Sequence, residues 1–182
     1  MANITLAVTG SISAYKAADL TSQLTKLGHQ VTVLMSRSAM DFITPLTLQS
    51  LSKNLVHTDV MIEENPTLIK HIDIAKETDV FLVAPASANT IAKLANGMAD
   101  NIITATALAL PIGTKKLLAP AMNTNMYLNP VTQKNIKTLI EYGFEEIKPR
   151  EALLACGDFG TGALAEVTDI LEKVSNTLDE KK

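Results

Sequence analysis

Short apolar runs alternate with longer amphipathic segments along this 182-residue chain. The apolar runs have the length and the bounding turn residues of buried β-strands, and they cover residues 4–8, 30–35, 79–85, 116–120 and 144–147. The amphipathic segments predict α-helices over residues 14–27, 67–77, 88–95, 99–109, 130–142 and 166–178, with mixed short helix over 39–52. Such alternation predicts right-handed crossovers, and therefore a three-layer α/β fold with a mainly parallel sheet covered by helices on both faces.

Turn and cap residues support these boundaries. Ser11 or Ser13 can cap the first helix, and Gly28 can close it. Pro45 and Pro66 suit helix starts. No repeat or low-complexity linker divides the chain, so we expect a single domain over residues 1–182.

Small hydroxyl-bearing segments follow four of the predicted strands. They cover residues 10–13, 36–38, 85–90 and 120–126. In open α/β sheets, ligands bind beyond the carboxyl ends of the strands. The four segments are therefore expected to meet at one edge of the sheet.

The first of these segments indicates the kind of ligand. It has one glycine followed by hydroxyl residues at a helix start, which suits a single phosphate, and residues 36–38 can add donors. No acidic residue follows the second strand to bind a ribose hydroxyl, so FMN fits better than NAD. Taken alone, the segment is better explained as an ordinary helix cap, but four such segments together favour a ligand site.

The amino-acid composition limits the kinds of binding partner that the protein can have. The net charge is −3 with no basic run, aromatic residues make up 4% and tryptophan is absent, which argues against nucleic acid or an anionic membrane. No apolar stretch reaches the length of a membrane span, and the start lacks the features of a signal peptide. The one cysteine cannot form an internal disulfide. We therefore expect a cytoplasmic protein.

Three residues are candidates for chemistry. Cys156 lies in a glycine-rich run that resembles a flap, so its thiol is either an acid or nucleophile over a ligand or an inert surface group. Asn123 follows a strand and can bind a carboxylate, or simply serve a turn. His71 lies beside isoleucines on a helix and is either catalytic or structural. The histidine spacing offers no metal site.

Five segments in order, at residues 10–16, 71–75, 85–90, 120–126 and 155–162, resemble the flavin-dependent cysteine decarboxylases. Within that family, they most closely resemble the bacterial phosphopantothenoylcysteine decarboxylases of coenzyme A biosynthesis, over residues 4–166. The resemblance implies a Rossmann-like or flavodoxin-like fold with bound FMN. It also implies homo-oligomers, either trimers or dodecamers, with FMN near the subunit contact.

The same resemblance implies roles for individual residues. His71, Asn123 and Cys156 would be catalytic, with Asn123 holding the substrate carboxylate and Cys156 donating a proton. Met126 and Ala155 would contact substrate beside Asn123. The flavin would be held by Gly10, Ser11, Ile12, Ser13, Ser36, Arg37, Ser38, Ser87, Ala88, Asn89, Thr90 and Ala121. Two positions depart from the family pattern, Tyr127 where tryptophan is common and Leu153 where some relatives are basic. Arg150 could take over a phosphate contact in place of that basic residue.

The expected reaction follows from the substrate's chemistry. The amine of 4'-phosphopantothenoylcysteine is acylated, so it cannot form the Schiff base that pyridoxal phosphate requires. Oxidation of the thiol to a thioaldehyde by flavin would allow loss of carbon dioxide. Protonation and hydride return to the ene-thiol would give 4'-phosphopantetheine. Many bacteria fuse the decarboxylase to the ligase that makes its substrate, so a separate ligase is expected here.

Four alternatives stay open at this stage. The first is a decarboxylase of C-terminal peptidyl cysteines in peptide antibiotic maturation. The second is a flavin prenyltransferase, and the third is a flavin-binding regulatory subunit without catalysis. The fourth is a flavodoxin-like electron carrier. The presence of both His71 and Cys156 argues against the third, because a non-catalytic subunit needs neither.

Overall fold

The computed structural model describes residues 1–62, 67 and 69–180, and its centre is a six-stranded parallel sheet in the order β3-β2-β1-β4-β5-β6. The strands of this sheet are β1 Asn3–Val8, β2 Gln30–Met35, β3 Val56–His57, β4 Val80–Ala86, β5 Lys115–Pro120 and β6 Phe144–Glu146. The chain reverses its direction of progress across the sheet between β1 and β4. That reversal is the position where doubly wound sheets open a ligand-binding crevice.

Helices cover both faces of the sheet, as the alternating pattern predicts. They are α1 Lys16–Lys26, α2 Pro45–Ser52, α3 Lys70–Glu77, α4 Ala88–Ala95, α5 Ile102–Ala109, α6 Thr124–Leu128, α7 Pro130–Glu141 and α8 Val167–Asp179. One core contains Leu24, Leu48 and Ile170, from α1, α2 and α8. The opposite core contains Ile91 and Ile136, from α4 and α7. The three-layer α/β architecture is therefore confirmed.

Successive residues of the central strands belong alternately to the two cores, one on each face of the sheet. Leu6 of β1 and Leu82 of β4 belong to the first core, whereas their neighbours Ala7 and Phe81 belong to the second. All four are fully buried. Burial on both faces explains why these strands are continuous apolar runs instead of alternating ones.

Several boundaries differ from the sequence prediction. Helix α3 begins at Lys70, later than residue 67, and the expected start at Pro66 lies outside the described residues. Helix α5 begins at Ile102 because Asn101 caps it through a capping box. Residues expected as loop after β2 form a 3-10 turn, Arg37–Ala39, capped by Ser36. A second 3-10 turn, Ile12–Tyr15, precedes α1.

The glycine-rich run near Cys156 is more ordered than a loose flap. Two antiparallel strands, β7 Arg150–Leu153 and β8 Phe159–Ala163, form a hairpin, and Cys156 lies in its connecting turn. The sequence prediction lacked this hairpin, helix α6 and strand β3. Within the described residues, no helix is both long and apolar enough to cross a bilayer.

Candidate active site

A cavity of about 460 Å³ lies at the carboxyl ends of β1, β4 and β5, beneath the hairpin. Its volume is within the usual range for a site that holds a small molecule or a cofactor. It is lined by Gly10, Ser11, Ile12, Ser13, Tyr15, Lys16, Ser87, Ala88, Ala121, Met122, Asn123, Met126, Arg150, Ala152, Leu153, Leu154, Ala155, Cys156, Gly162, Ala163 and Leu164. The topological crevice and the cavity therefore coincide.

A buried threonine fixes the two loops that flank the crevice. The Thr9 hydroxyl donates to the carbonyl oxygen of Pro85 at 2.6 Å and accepts from the backbone N–H of Ser87 at 2.8 Å. Thr9 is fully buried, so water does not compete for these bonds. The loop after β1 is thereby tied to the loop after β4.

The loop after β2 packs against the first of these loops. A Cβ atom at Gly10 would lie only 2.5 Å from the Cβ of Ser38, so only glycine permits this approach. The hydroxyls of Ser11 and Ser36 each accept a backbone N–H at 3.2 Å, from Ser13 and Ala39 respectively. A serine that caps a turn in this way keeps its O–H for donation to an anion.

Two of the three candidate catalytic residues, Asn123 and Cys156, meet at the cavity wall. The side-chain nitrogen of Asn123 donates to Sγ of Cys156 at 3.3 Å and to the Asp158 carboxylate at 3.4 Å. The Cys156 thiol donates to the same carboxylate at 3.3 Å. The side-chain oxygen of Asn123 accepts from the N–H of Asn125 at 2.8 Å, which caps α6 and fixes the amide's direction.

The hairpin is docked onto the segment that carries Asn123. The backbone N–H of Met122 donates to the carbonyl oxygen of Gly162 at 2.9 Å. A Cβ at Gly162 would lie 2.2 Å from the Met122 carbonyl oxygen, so a larger residue would push the hairpin away. This contact brings the turn with Cys156 next to Asn123.

Tyr127 directly follows the segment of residues 120–126 and is buried in the protein interior. Its hydroxyl donates to the Glu146 carboxylate at 2.9 Å, and its side chain is 9% exposed. Burial, with Glu146 as a second cause, raises the pKa of Tyr127 to about 12. The hydrogen bond to Glu146 anchors α6 to β6.

Eleven of the predicted site residues line the cavity. They are Gly10, Ser11, Ile12, Ser13, Ser87, Ala88, Ala121, Asn123, Met126, Ala155 and Cys156. Six others do not line it, namely Ser36, Arg37, Ser38, Asn89, Thr90 and His71. Ser36, Arg37 and Ser38 belong to the loop after β2, which packs beside the loop after β1 through the contact of Ser38 with Gly10.

His71 was predicted to be catalytic, but it does not line the cavity. It lies in the first turn of α3, and its Nδ1 is buried without a hydrogen-bond partner in the described part of the chain. Lys70 beside it donates to the carbonyl oxygen of Ile62 at 3.2 Å. The side chains of Met61, Ile62 and Ile69 around this helix start are all more than half exposed.

Sequence reasoning missed several residues of the site. Thr9 could have been found, since a buried hydroxyl at the end of a β-strand needs a partner in a neighbouring loop. Asp158 stood inside a motif that had been singled out, but no pattern along the chain shows that its carboxylate faces the thiol. Arg150 had been suggested for a phosphate contact, whereas Lys16 had been given no role. The two line the cavity from elements 134 positions apart, so only the fold brings them together.

A family model described as Flavoprotein matches residues 1–179. The chain belongs to the flavoprotein family. This match confirms the resemblance that the five sequence motifs carry.

Two similar proteins known by sequence differ in how much of their own length this chain covers. A probable phosphopantothenoylcysteine decarboxylase of Streptococcus mutans is 59% identical over 96% of this chain and 98% of the relative. The coenzyme A biosynthesis bifunctional protein CoaBC of Bacillus subtilis is 46% identical over 93% of this chain. Only 41% of the Bacillus protein is matched, so the chain spans less than half of that relative.

Two similar solved structures share the whole fold. A cysteine-to-serine variant of a PPC decarboxylase, complexed with pantothenoylaminoethenethiol, superposes with a TM-score of 0.90 at 32% identity over 98% of both chains. The FMN-binding protein AtHal3 superposes with a TM-score of 0.86 at 32% identity, over 98% of this chain and 97% of that one.

Proposed function

We propose that this flavoprotein is an FMN-dependent carboxy-lyase that converts 4'-phosphopantothenoylcysteine to 4'-phosphopantetheine in coenzyme A biosynthesis. The observation that carries the proposal is the meeting of Asn123 and Cys156 at 3.3 Å on the wall of the cavity. A carboxylate-binding amide beside a proton-donating thiol is what decarboxylation of a cysteine conjugate requires. The near full-length relative from Streptococcus mutans supports the same activity.

The residues of the cavity fit FMN. No aspartate or glutamate is among the described residues that line it, and hydroxyl groups from the β1 and β4 loops face it, which suits an anionic cofactor. Gly10 to Ser13, Ser87, Ala88 and Ala121 would hold the flavin, with Ser36 to Ser38, Asn89 and Thr90 supporting those loops. Bound FMN would supply a hydride acceptor that oxidises the substrate's thiol-bearing carbon and later returns the hydride.

Three polar groups that meet at the hairpin turn each have one task in this reaction. Asn123 binds the substrate carboxylate through its amide N–H without adding charge, which holds the carboxylate in place before it leaves. Cys156 delivers the proton to the carbon that loses carbon dioxide. Asp158 accepts the thiol's hydrogen bond and so orients that proton. Met126 and Ala155 enclose the rest of the cysteine end.

His71 acts in this proposal from a second copy of the chain. Its imidazole does not line the cavity that Cys156 lines, although general-base assistance to thiol oxidation needs it there. The exposed side chains of Met61, Ile62 and Ile69 around the start of α3 form an apolar surface that suits a subunit contact. A homo-oligomer, a trimer or a dodecamer, would bring His71 of one copy to the cavity of the next.

A substrate comparison tests the proposed function. The purified protein, loaded with FMN, is given 4'-phosphopantothenoylcysteine in one reaction and a peptide ending in cysteine in another, and carbon dioxide release is followed. We expect release from the first substrate only. Release from the peptide alone would replace the proposal with peptidyl-cysteine decarboxylation.

A further inference from the structure

Two cations border the cavity at the end away from the catalytic turn. Lys16 begins α1 and Arg150 begins β7, and both line the cavity. They are the only charged residues among its described lining. If the chain acts on a phosphorylated cysteine conjugate, as proposed above, the site must also neutralise a phosphate monoester that carries nearly two negative charges.

One carboxylate holds both cations in place. Oε1 of Glu166 lies 3.0 Å from Nε of Arg150, and Oε2 lies 3.5 Å from Nζ of Lys16. Arg150 Nε also donates to the carbonyl oxygen of Leu164 at 3.1 Å. Two cations around one carboxylate leave a net charge of about +1, so the cluster still attracts an anion.

The guanidinium of Arg150 is prepared for bidentate binding. Its Nε is fixed by Leu164 and Glu166, whereas neither terminal nitrogen makes a hydrogen bond to the part of the chain that the structure describes. The Arg150 side chain is 39% exposed, so a ligand can reach the two terminal nitrogens. A planar fork with two free N–H groups matches two oxygens of a phosphate.

The separation of Arg150 and Cys156 along the hairpin matches the extended length of the substrate. Arg150 is at the base of β7, and Cys156 is in the turn at the other end. The strand from Arg150 to Leu153 alone spans about 10 Å at 3.3 Å per residue. The conjugate has its cysteine at one end and its phosphate at the other, so an extended acyl chain would lie along the hairpin.

We infer that Arg150, assisted by Lys16 and positioned by Glu166, forms a phosphate subsite that selects the phosphorylated substrate over its unphosphorylated counterpart. Arg150 is the specificity-determining residue, because it alone offers a bidentate fork. Lys16 contributes a point charge. The flavin phosphate is assigned to the separate loop at Gly10 to Ser13, so loss of Arg150 should leave FMN in place.

A binding experiment tests the subsite without requiring turnover. Calorimetry compares 4'-phosphopantetheine with pantetheine on the FMN-loaded wild type and on Arg150→Gln, Arg150→Lys, Lys16→Gln and Lys148→Gln. Lys148 is exposed and does not line the cavity, so its variant removes the same charge elsewhere. FMN content is measured from absorbance for each protein.

We expect the wild type to prefer the phosphorylated ligand. Arg150→Gln should weaken binding of that ligand about 10- to 100-fold with pantetheine unchanged, as for a lost charge-assisted hydrogen bond. Arg150→Lys and Lys16→Gln should give intermediate losses, and Lys148→Gln should match the wild type.

Three results would overturn the subsite: no phosphate preference in the wild type, equal weakening of both ligands in Arg150→Gln, or an equal effect of Lys148→Gln. Loss of FMN from Arg150→Gln would show instead that the cations hold the flavin phosphate. A wild type that binds the phosphorylated ligand preferentially but releases no carbon dioxide would refute the proposed function and leave the subsite standing.

Discussion

The side-chain nitrogen of Asn123 lies 3.3 Å from Sγ of Cys156, although 33 positions separate the two residues. The contact exists because the hairpin is docked on Met122 through Gly162. It joins an amide that suits a carboxylate to a thiol that can give a proton. Each half of this pair can be removed separately.

Replacing Cys156 with serine should separate decarboxylation from product reduction. Carbon dioxide release should continue, while formation of the saturated thiol falls by about 10²–10⁴-fold, the usual worth of a positioned acid. Mass spectrometry of the products would show the oxidised ene-thiol. Asn123→Ser is the matched variant, since serine can still cap α6, and it should slow carbon dioxide release itself. Normal saturated product from Cys156→Ser would refute its role as the acid.

Asp158→Asn tests whether the carboxylate orients the thiol proton. The variant keeps the size of the side chain but replaces a charge-assisted acceptor with a weaker neutral one. We expect carbon dioxide release close to that of the wild type, with a larger fraction of ene-thiol among the products. Asp169→Asn, on α8, serves as the control for loss of one carboxylate. An unchanged product ratio would mean that Asp158 only stabilises the turn.

A complementation experiment tests whether His71 acts across a subunit contact. His71→Asn and Cys156→Ser variants are each expected to form little saturated product. Mixed oligomers, obtained by co-expression, should regain part of the activity, because some sites would combine an intact His71 with an intact Cys156 from another copy. Mixed oligomers as inactive as the two parents would place both residues in the same subunit's site.

Tyr127→Phe should change the pH dependence of stability. In the unfolded chain the phenol ionises near pH 10, whereas in the folded protein its pKa is about 12. The folded state therefore retains the proton longer, so this contribution is fully present below about pH 10 and is lost as the pH rises toward 12. At about pH 8 the variant should be less stable by about 1 kcal/mol through loss of the Glu146 hydrogen bond.

Urea unfolding at several pH values checks this sign. The difference in free energy of unfolding between wild type and Tyr127→Phe should narrow as the pH rises from about 9 toward 11. A difference that stays constant over that interval would mean that Tyr127 does not titrate differently in the two states.

Elements with a strong local signal were predictable, and those that depend on distant packing were not. β2 was predicted with its observed bounds because its apolar run is bounded by polar turns on both sides. The hairpin of β7 and β8 was missed because its strand residues are mostly half-buried and carry no apolar period. Its glycines signalled flexibility, whereas Gly162 in fact permits close contact with Met122.

The candidate site also contains residues that the sequence could place and contacts that it could not. Gly10 to Ser13 and Ser87 could be assigned to one edge, since parallel strands end there together. The approach of Cys156 to Asn123 depends on the hairpin, and the cation pair of Lys16 and Arg150 depends on Glu166 at the start of α8. No spacing along the chain contains that information.

The most direct test of the central claim measures carbon dioxide and 4'-phosphopantetheine together. The protein is stripped of flavin, divided, and one half is reconstituted with FMN before 4'-phosphopantothenoylcysteine is added. We predict equal amounts of carbon dioxide and 4'-phosphopantetheine from the reconstituted half and neither from the stripped half. Reconstituted protein that binds FMN fully yet leaves the substrate unchanged would contradict the account.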